Sequence, residues 1–416
     1  MAATLVTGGS YLLEIGAGYD DDAFIVNESL LDGTDVLDGD GEEFYDITDK
    51  VTNIRVSRGR RQPIDAFGAG TMIVAMQQKQ NERSLDPFNT SSIYFNTSED
   101  QPGLGPLRPI RLSREGEFLF VGKITGYQQQ YVLGGLTQYV VSAADDIYTL
   151  AQAALPETVT SVQTSAARLS AVLALIPYTG TTDITAAPVT TLGGYTIAEG
   201  TNANAYANRI QQAEQGRIFC NRENTLTMQP RIGTTLDAPT ATFNDIGTAI
   251  PYDGVGVEYD QQLVINTAIV EIESGGTPQL AIDATSIAEY FVQSIAITDS
   301  LLSADAGAAT LASYLLEGEP TARFNSISTT FASLTTLQKN ALAPIDIGDT
   351  VQITKTYTTG TPLTKTQDLA VEGVDHDINV FTGHRMTLYT SDTVVLNDLI
   401  LDDVLYGTIN TNNAPA

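Results

Sequence analysis

Residues 44–77 read FYDITDKVTNIRVSRGRRQPIDAFGAGTMIVAMQ, residues 84–95 SLDPFNTSSIYF and residues 105–114 GPLRPIRLSR. This region decides the fold class. VTNIRVSRG alternates apolar and polar residues, and TMIVAMQ is a short apolar run entered through the turn Ala69-Gly70-Thr71; both are strand signals. Leu85 to Asn89 forms a Leu-Asp-Pro-Phe-Asn corner ahead of a strand bracketed by prolines. Arg58, Gly59, Arg60 and Arg61 make a dense basic run in a chain that is otherwise acidic.

Working outward, residues 118–145 read as two or three strands divided at Gly126 and at Gly134–Gly135. The paired glycines are a hairpin signal, because both central positions of such turns favour positive φ. Residues 145–155 (DDIYTLAQAAL) switch to a helical period and close this first β module, expected to be barrel-like. Before it, residues 1–43 read as an acidic extension: the first fifty positions hold thirteen Asp and Glu against one Lys. Residues 156–254 are mixed. Helices are expected at 165–176, ended by Pro177, and at 202–215, broken at Gly216. A hairpin follows around Asn221–Asn224, with Ile218 and Cys220 on one strand and Leu226 and Met228 on the other. Residues 255–392 return to strands around a helix near 303–316, and residues 393–416 read as a C-terminal tail.

Length and charge bound the function. At 416 residues the chain is long enough for about three modules. Fifty Asp and Glu against 21 Lys and Arg leave a net charge of −29. A surface this negative repels phosphates and cannot hold nucleic acid by counterion release. One cysteine excludes a disulfide framework within the chain, and with two histidines it excludes Cys/His zinc clusters. No run of about 18 apolar residues is present, so a chain without a membrane span or secretory signal is expected.

The search for chemistry yields none. His376 lies between Asp375 and Asp377, which suggests part of a triad. Strand alternation sends the two aspartates to the opposite face, so both His376 and His384 are expected as non-catalytic, with His376 at the surface. No GxSxG, HExxH, P-loop or GxGxxG stands in a strand-to-helix context. Asp32, Asp35, Asp38, Asp40 and Glu42 offer oxygens that could circle calcium, but the full EF-hand spacing is missing, and a solvated loop is the preferred reading. No enzyme activity and no cofactor are expected.

The order of elements carries a resemblance. DITDKVTNIRVSRGRR, AGTMIV, LDPFNTSSIYF, PLRPIRL, FLFVGKITGY and YVVSAADDIYTLA resemble, in order, the N-terminal half of minor tail proteins of long-tailed phages. Further on, QQAEQGRIFCNRENTLTMQPR, LVINTAIVEI, PIDIGDTVQI and VEGVDHDINVFTGHRMTLYT resemble the central hub of phage baseplates or tail tips. The resemblance implies a mainly β chain, with two tail-tube-like β-barrel modules at 44–155 and 255–392 flanking a mixed α/β middle module. It implies a homotrimer at the virion's tail tip that adapts a sixfold tail tube or distal ring to threefold symmetry. Its partners would be those rings, the tape measure protein and other tail-tip proteins, with double-stranded DNA only in passage and no membrane anchor. Arg58, Arg60, Arg61, Arg108 and Arg111 are expected at inter-subunit contacts, where guanidinium forks suit carboxylates. The alternative is a receptor- or carbohydrate-binding tail-tip protein. The absence of Trp and the scatter of Tyr give it little support.

Overall fold

The computed structural model describes residues 11–19, 42–62, 65–79, 82–96, 101–102, 104–184, 190–230, 238–273 and 275–391. Strands of three residues or more are β1 (Tyr11–Tyr19), β2 (Glu42–Asp46), β3 (Val51–Gly59), β4 (Gly68–Lys79), β5 (Pro109–Arg114), β6 (Glu117–Gln130) and β7 (Leu136–Ala144). The middle of the chain adds β8 (Thr182–Ile184), β9 (Arg217–Cys220), β10 (Leu226–Gln229) and β11 (Ala241–Asn244). The remainder are β12 (Gly254–Glu258), β13 (Thr267–Ile272), β14 (Gln279–Ile282), β15 (Ser294–Ser300), β16 (Arg323–Thr330), β17 (Thr350–Thr356), β18 (Thr364–Asn379) and β19 (Gly383–Ser391). Six α-helices are described: α1 (Asp146–Gln152), α2 (Ser165–Leu175), α3 (Ala203–Glu214), α4 (Ala284–Tyr290), α5 (Asp305–Tyr314) and α6 (Thr336–Leu342).

Alternation builds the strands. In β4, Met72, Val74 and Met76 are buried while Thr71 and Ile73 face out, and in β19 His384, Met386 and Leu388 point inward. Each such burial removes apolar surface worth about 1.5–3 kcal/mol from water. Helices start where a short polar side chain can take a free amide: Asp145 accepts from Ile147 N, Thr164 from Ala167 N, and Thr335 with Gln338 completes a capping box.

The expectation of a mainly β chain with a mixed insert is met, and the two β modules are continuous. They form one 13-stranded sheet in the order β2-β1-β5-β6-β7-β4-β3-β18-β19-β16-β12, to which β17 and β11 attach beside β18. The joint is antiparallel pairing of β3 with β18, from Gly59 opposite Gly373 to Asn53 opposite Asn379. One apolar core serves both modules, since Ile54, Val74 and Val141 share a cluster with Ile353, Val374 and Leu388. A second core, containing Leu169, Tyr206, Ile210 and Leu226, joins the middle helices to β13 and α5.

Three expected boundaries shift. Residues 1–43 are not wholly an extension: β1 pairs with β2 and β5, and its Leu13 and Ile15 are fully buried. β11, expected in the middle module, pairs parallel with β17 of the second. Conversely Ala268, Val270, Leu311 and Ala312, expected in the second β module, pack into the middle core. Gly126 does not divide a strand either: β6 runs through it with a register shift between Ile124 and Gly126 that absorbs the irregularity. The Gly134–Gly135 hairpin and the pairing of Ile218 with Met228 and Cys220 with Leu226 are as expected.

Candidate functional site

The basic run lies on the joint between the modules. β3 ends at Gly59 with φ +84, and a Cβ there would enter the backbone of Glu372 and Gly373 on β18. Only glycine tolerates that backbone at such a close approach. This seats Arg58 and Arg60 over the neighbouring strand. Arg58 Nη1 donates to Asp346 Oδ1 at 2.6 Å, and Arg60 Nε donates to Glu372 Oε2 at 2.7 Å. The other oxygen of Glu372, Oε1, accepts from Arg217 Nη2 and from Ser391 Oγ, each at 2.7 Å. Glu372 therefore ties the turn after β3, together with β9 and β19, to β18. Burial alone would raise its pKa, but the Arg217 and Arg60 guanidinium groups outweigh that and hold its carboxyl at about 2.

Around this cluster the charges are matched within the chain. Asp346 also accepts from Arg222 N at 2.6 Å, and Arg60 stacks on Phe67 at 4.5 Å. Arg61 is different: its side chain is 69% exposed, lies over the Tyr389 ring at 5.3 Å and comes only within 3.7 Å of Asp375. A cleft of about 330 Å³ opens here, with Arg60, Arg61, Asp65, Asp375 and Tyr389 in its lining. Arg58 lines it too, and of its three arginines Arg58 and Arg60 are already paired with Asp346 and Glu372.

Within the chain, three of the five arginines singled out in the sequence already have carboxylate partners. Arg58, Arg60 and Arg111 turn onto Asp346, Glu372 and Glu14 of the same chain. Arg111 grips Glu14 with two bonds, 2.7 and 3.2 Å, and stacks on Phe44 at 3.7 Å. Arg108 sits in the turn before β5, its amide donating to Gly105 O at 3.4 Å. Arg61 alone of the run keeps an exposed head. The Leu85–Asn89 corner is also explained: buried Asp86 accepts from Arg83 Nε, Phe88 N and the Tyr131 hydroxyl, pinning the corner to the β6–β7 hairpin.

The histidines are not surface residues. His376 and His384 are 2% and 3% exposed, although Asp375 and Asp377 do point away as alternation requires. His376 Nδ1 lies 2.9 Å from His384 Nε2, and His384 Nδ1 lies 2.8 Å from the Tyr11 hydroxyl. Burial, reinforced by Arg114, lowers His384 to about 3; burial, His384 and Arg58 push His376 well below its ordinary value. Near the joint, Asp145 accepts from Gly70 N at 2.7 Å and caps α1, and its burial raises it to about 7. Among the described residues no group of three or more His, Cys, Asp or Glu is placed to hold a metal. Asp32, Asp35, Asp38 and Asp40 lie outside the described residues, as does the side chain of Glu42.

Sequence reasoning found Arg58 and Arg60 and missed their partners. Glu372 carried a signal: a carboxylate inside the apolar run Leu369–Val374 must find a cation. Asp346, Arg217 and Tyr11 carried none, because only the fold brings them to the joint.

No family model matches the sequence, and no curated protein matches it. Solved structures do. A tail protein from Neisseria meningitidis MC58 aligns with TM-score 0.60 over 93% of this chain and 97% of its own, at 11% identity. The chain has the fold of phage tail proteins. The 43 kDa tail protein of prophage MuSo2 from Shewanella oneidensis shares this tail-protein fold at TM-score 0.57, covering 84% of this chain and 95% of its own, at 10% identity. At this identity the tail-protein fold is kept while nearly every side chain differs.

Proposed function

We propose that the chain is a structural protein of a phage tail, and within the tail the trimeric hub of the tip. The observation that carries this is the joint. Two β modules in one chain are fused edge to edge through β3 and β18, inside a fold shared with tail proteins over 93% of the chain. Three such chains present six modules, which fits a sixfold tube or distal ring on one side and a threefold tip on the other. The buried charge cluster supports the reading, because it fixes the angle between modules that a ring must repeat.

On this reading the virion is the site of action and the partners are the tube or distal ring, the tape measure protein and other tail-tip proteins. DNA meets the chain only in transit. The net charge of −29 suits a channel wall that must not retain phosphates. Native mass spectrometry of the purified chain, alone and mixed with the tube or distal-ring protein from the same genome, tests the assembly. Trimers that form alone or on the ring are expected; strict monomers in both conditions overturn the hub.

A further inference from the structure

Tyr11 on β1 reaches across the core to His384 and His376 on the last two strands. Each contact of this line holds one hydrogen, and the line runs either from the Tyr11 O–H through His384 to His376 Nδ1 or from the His376 Nδ1–H through His384 to the Tyr11 oxygen. In both arrangements His376 Nε2 is buried with no hydrogen-bond partner among the described residues.

We propose that this Tyr11–His384–His376 chain is an acid-released latch, which holds the Tyr11 end of β1 on the second β module until a histidine is protonated. The contact between His376 Nδ1 and His384 Nε2 holds one hydrogen in either arrangement, so a further proton on its accepting nitrogen sets donor against donor and breaks the line. Among the described residues no carboxylate acts on either imidazole to compensate the added charge. From β3 the facing group is Arg58, itself matched to Asp346; from β5 it is Arg114; from β1 it is Tyr11, with Glu115 acting on that phenol rather than on the imidazoles. The ring of Phe331 covers His384 at 3.8 Å between centroids. Asp375 and Asp377, the neighbours in sequence, lie on the other face of β18.

The sign follows from linkage. Both imidazoles are held below 6.5 in the folded chain, so the contribution of the latch is present above pH 6.5 and is lost as pH falls. With His384 held at about 3, opening at pH 5 becomes about 30-fold more favourable than at pH 7. Asp145, raised to about 7, acts in the opposite sense, but it sits at α1 and Gly70 rather than on β1.

Hydrogen exchange read by mass spectrometry at pH 7, 6 and 5, corrected for intrinsic rates, tests this on the full chain. Exchange in peptides covering Tyr11–Ile15 should rise about 30-fold from pH 7 to 5 while α3 stays unchanged, and His384→Gln should abolish the pH dependence. Should that variant fail to fold, carbon-13-labelled histidine gives two imidazole signals in the wild type, since the chain has two histidines. Both should stay neutral at pH 5.5 wherever β1 remains protected. Exchange at β1 that ignores pH, exchange that rises equally in α3, or an imidazole that titrates near 6.5 with β1 still protected each overturns the latch.

Discussion

Replacing Glu372 with Gln tests the joint where its charge is most concentrated. The carboxylate accepts from Arg60, Arg217 and Ser391, with Arg217 5% and Glu372 2% exposed. Glutamine keeps the shape but leaves two guanidinium groups without a counter-charge. Removing one partner of a buried ion pair costs about 3–5 kcal/mol. The depression of Glu372 from 4.5 to about 2 gives an independent figure of about 3 kcal/mol. With an unfolding entropy of about 2.1 cal/mol/K per residue over 416 residues, the loss lowers Tm by about 3–6 °C if the chain unfolds as one unit. Calorimetry at pH 7 and 3 is the assay. Because the folded pKa is depressed, the contribution is present above pH 4.5 and fades as pH falls through about 2, so the gap between wild type and variant should narrow at pH 3. A Tm within 1 °C of wild type at pH 7, or a gap that does not depend on pH, refutes the reasoning.

Asp145→Asn should change the opposite limb of the pH profile. A folded pKa raised to about 7 gives stability that is fully present below the unfolded value near 3.8 and is lost as pH rises through 7; urea titrations at pH 4, 5.5 and 7.5 should show this slope in the wild type and not in the variant, which keeps a helix cap. Gly59→Ala should cost about 2 kcal/mol or more, because it combines φ +84 with collision against Glu372 O, whereas Gly134→Ala, at φ +72 in open space, should cost about 1 kcal/mol in the same denaturation assay. Arg61→Ala should change stability by less than about 1 kcal/mol, as an exposed ion pair does, and so separate from Arg60→Ala in a paired comparison.

Local rules made much of the fold legible. Alternation placed β3, β4 and β19, Gly134–Gly135 placed the long hairpin, and the helical period placed α1, α2, α3 and α5. β1 was hidden because YLLEIGAGY stands among acids whose number suggested a solvated extension. α4 and α6 are only seven residues each, too short for a period to show. Who lies beside whom is a tertiary fact. Nothing in VTNIRVSRG says that its neighbour is VEGVDHDIN, more than 300 positions away, and so Asp346 and Glu372, the partners of Arg58 and Arg60, could not be read from the run itself. The same distance hid the histidine pair: alternation assigned His376 a face, but only tertiary packing, with Tyr11 and Phe331 against His384, made that face interior.

Cryo-electron microscopy of tail-like particles produced from the genome that encodes this chain tests the hub reading most directly. The expected map has threefold density at the tail tip into which three copies fit, each placing both β modules around the channel so that six modules face a sixfold ring. Density for this chain in a sixfold ring along the tube, or in peripheral fibres away from the channel, contradicts it.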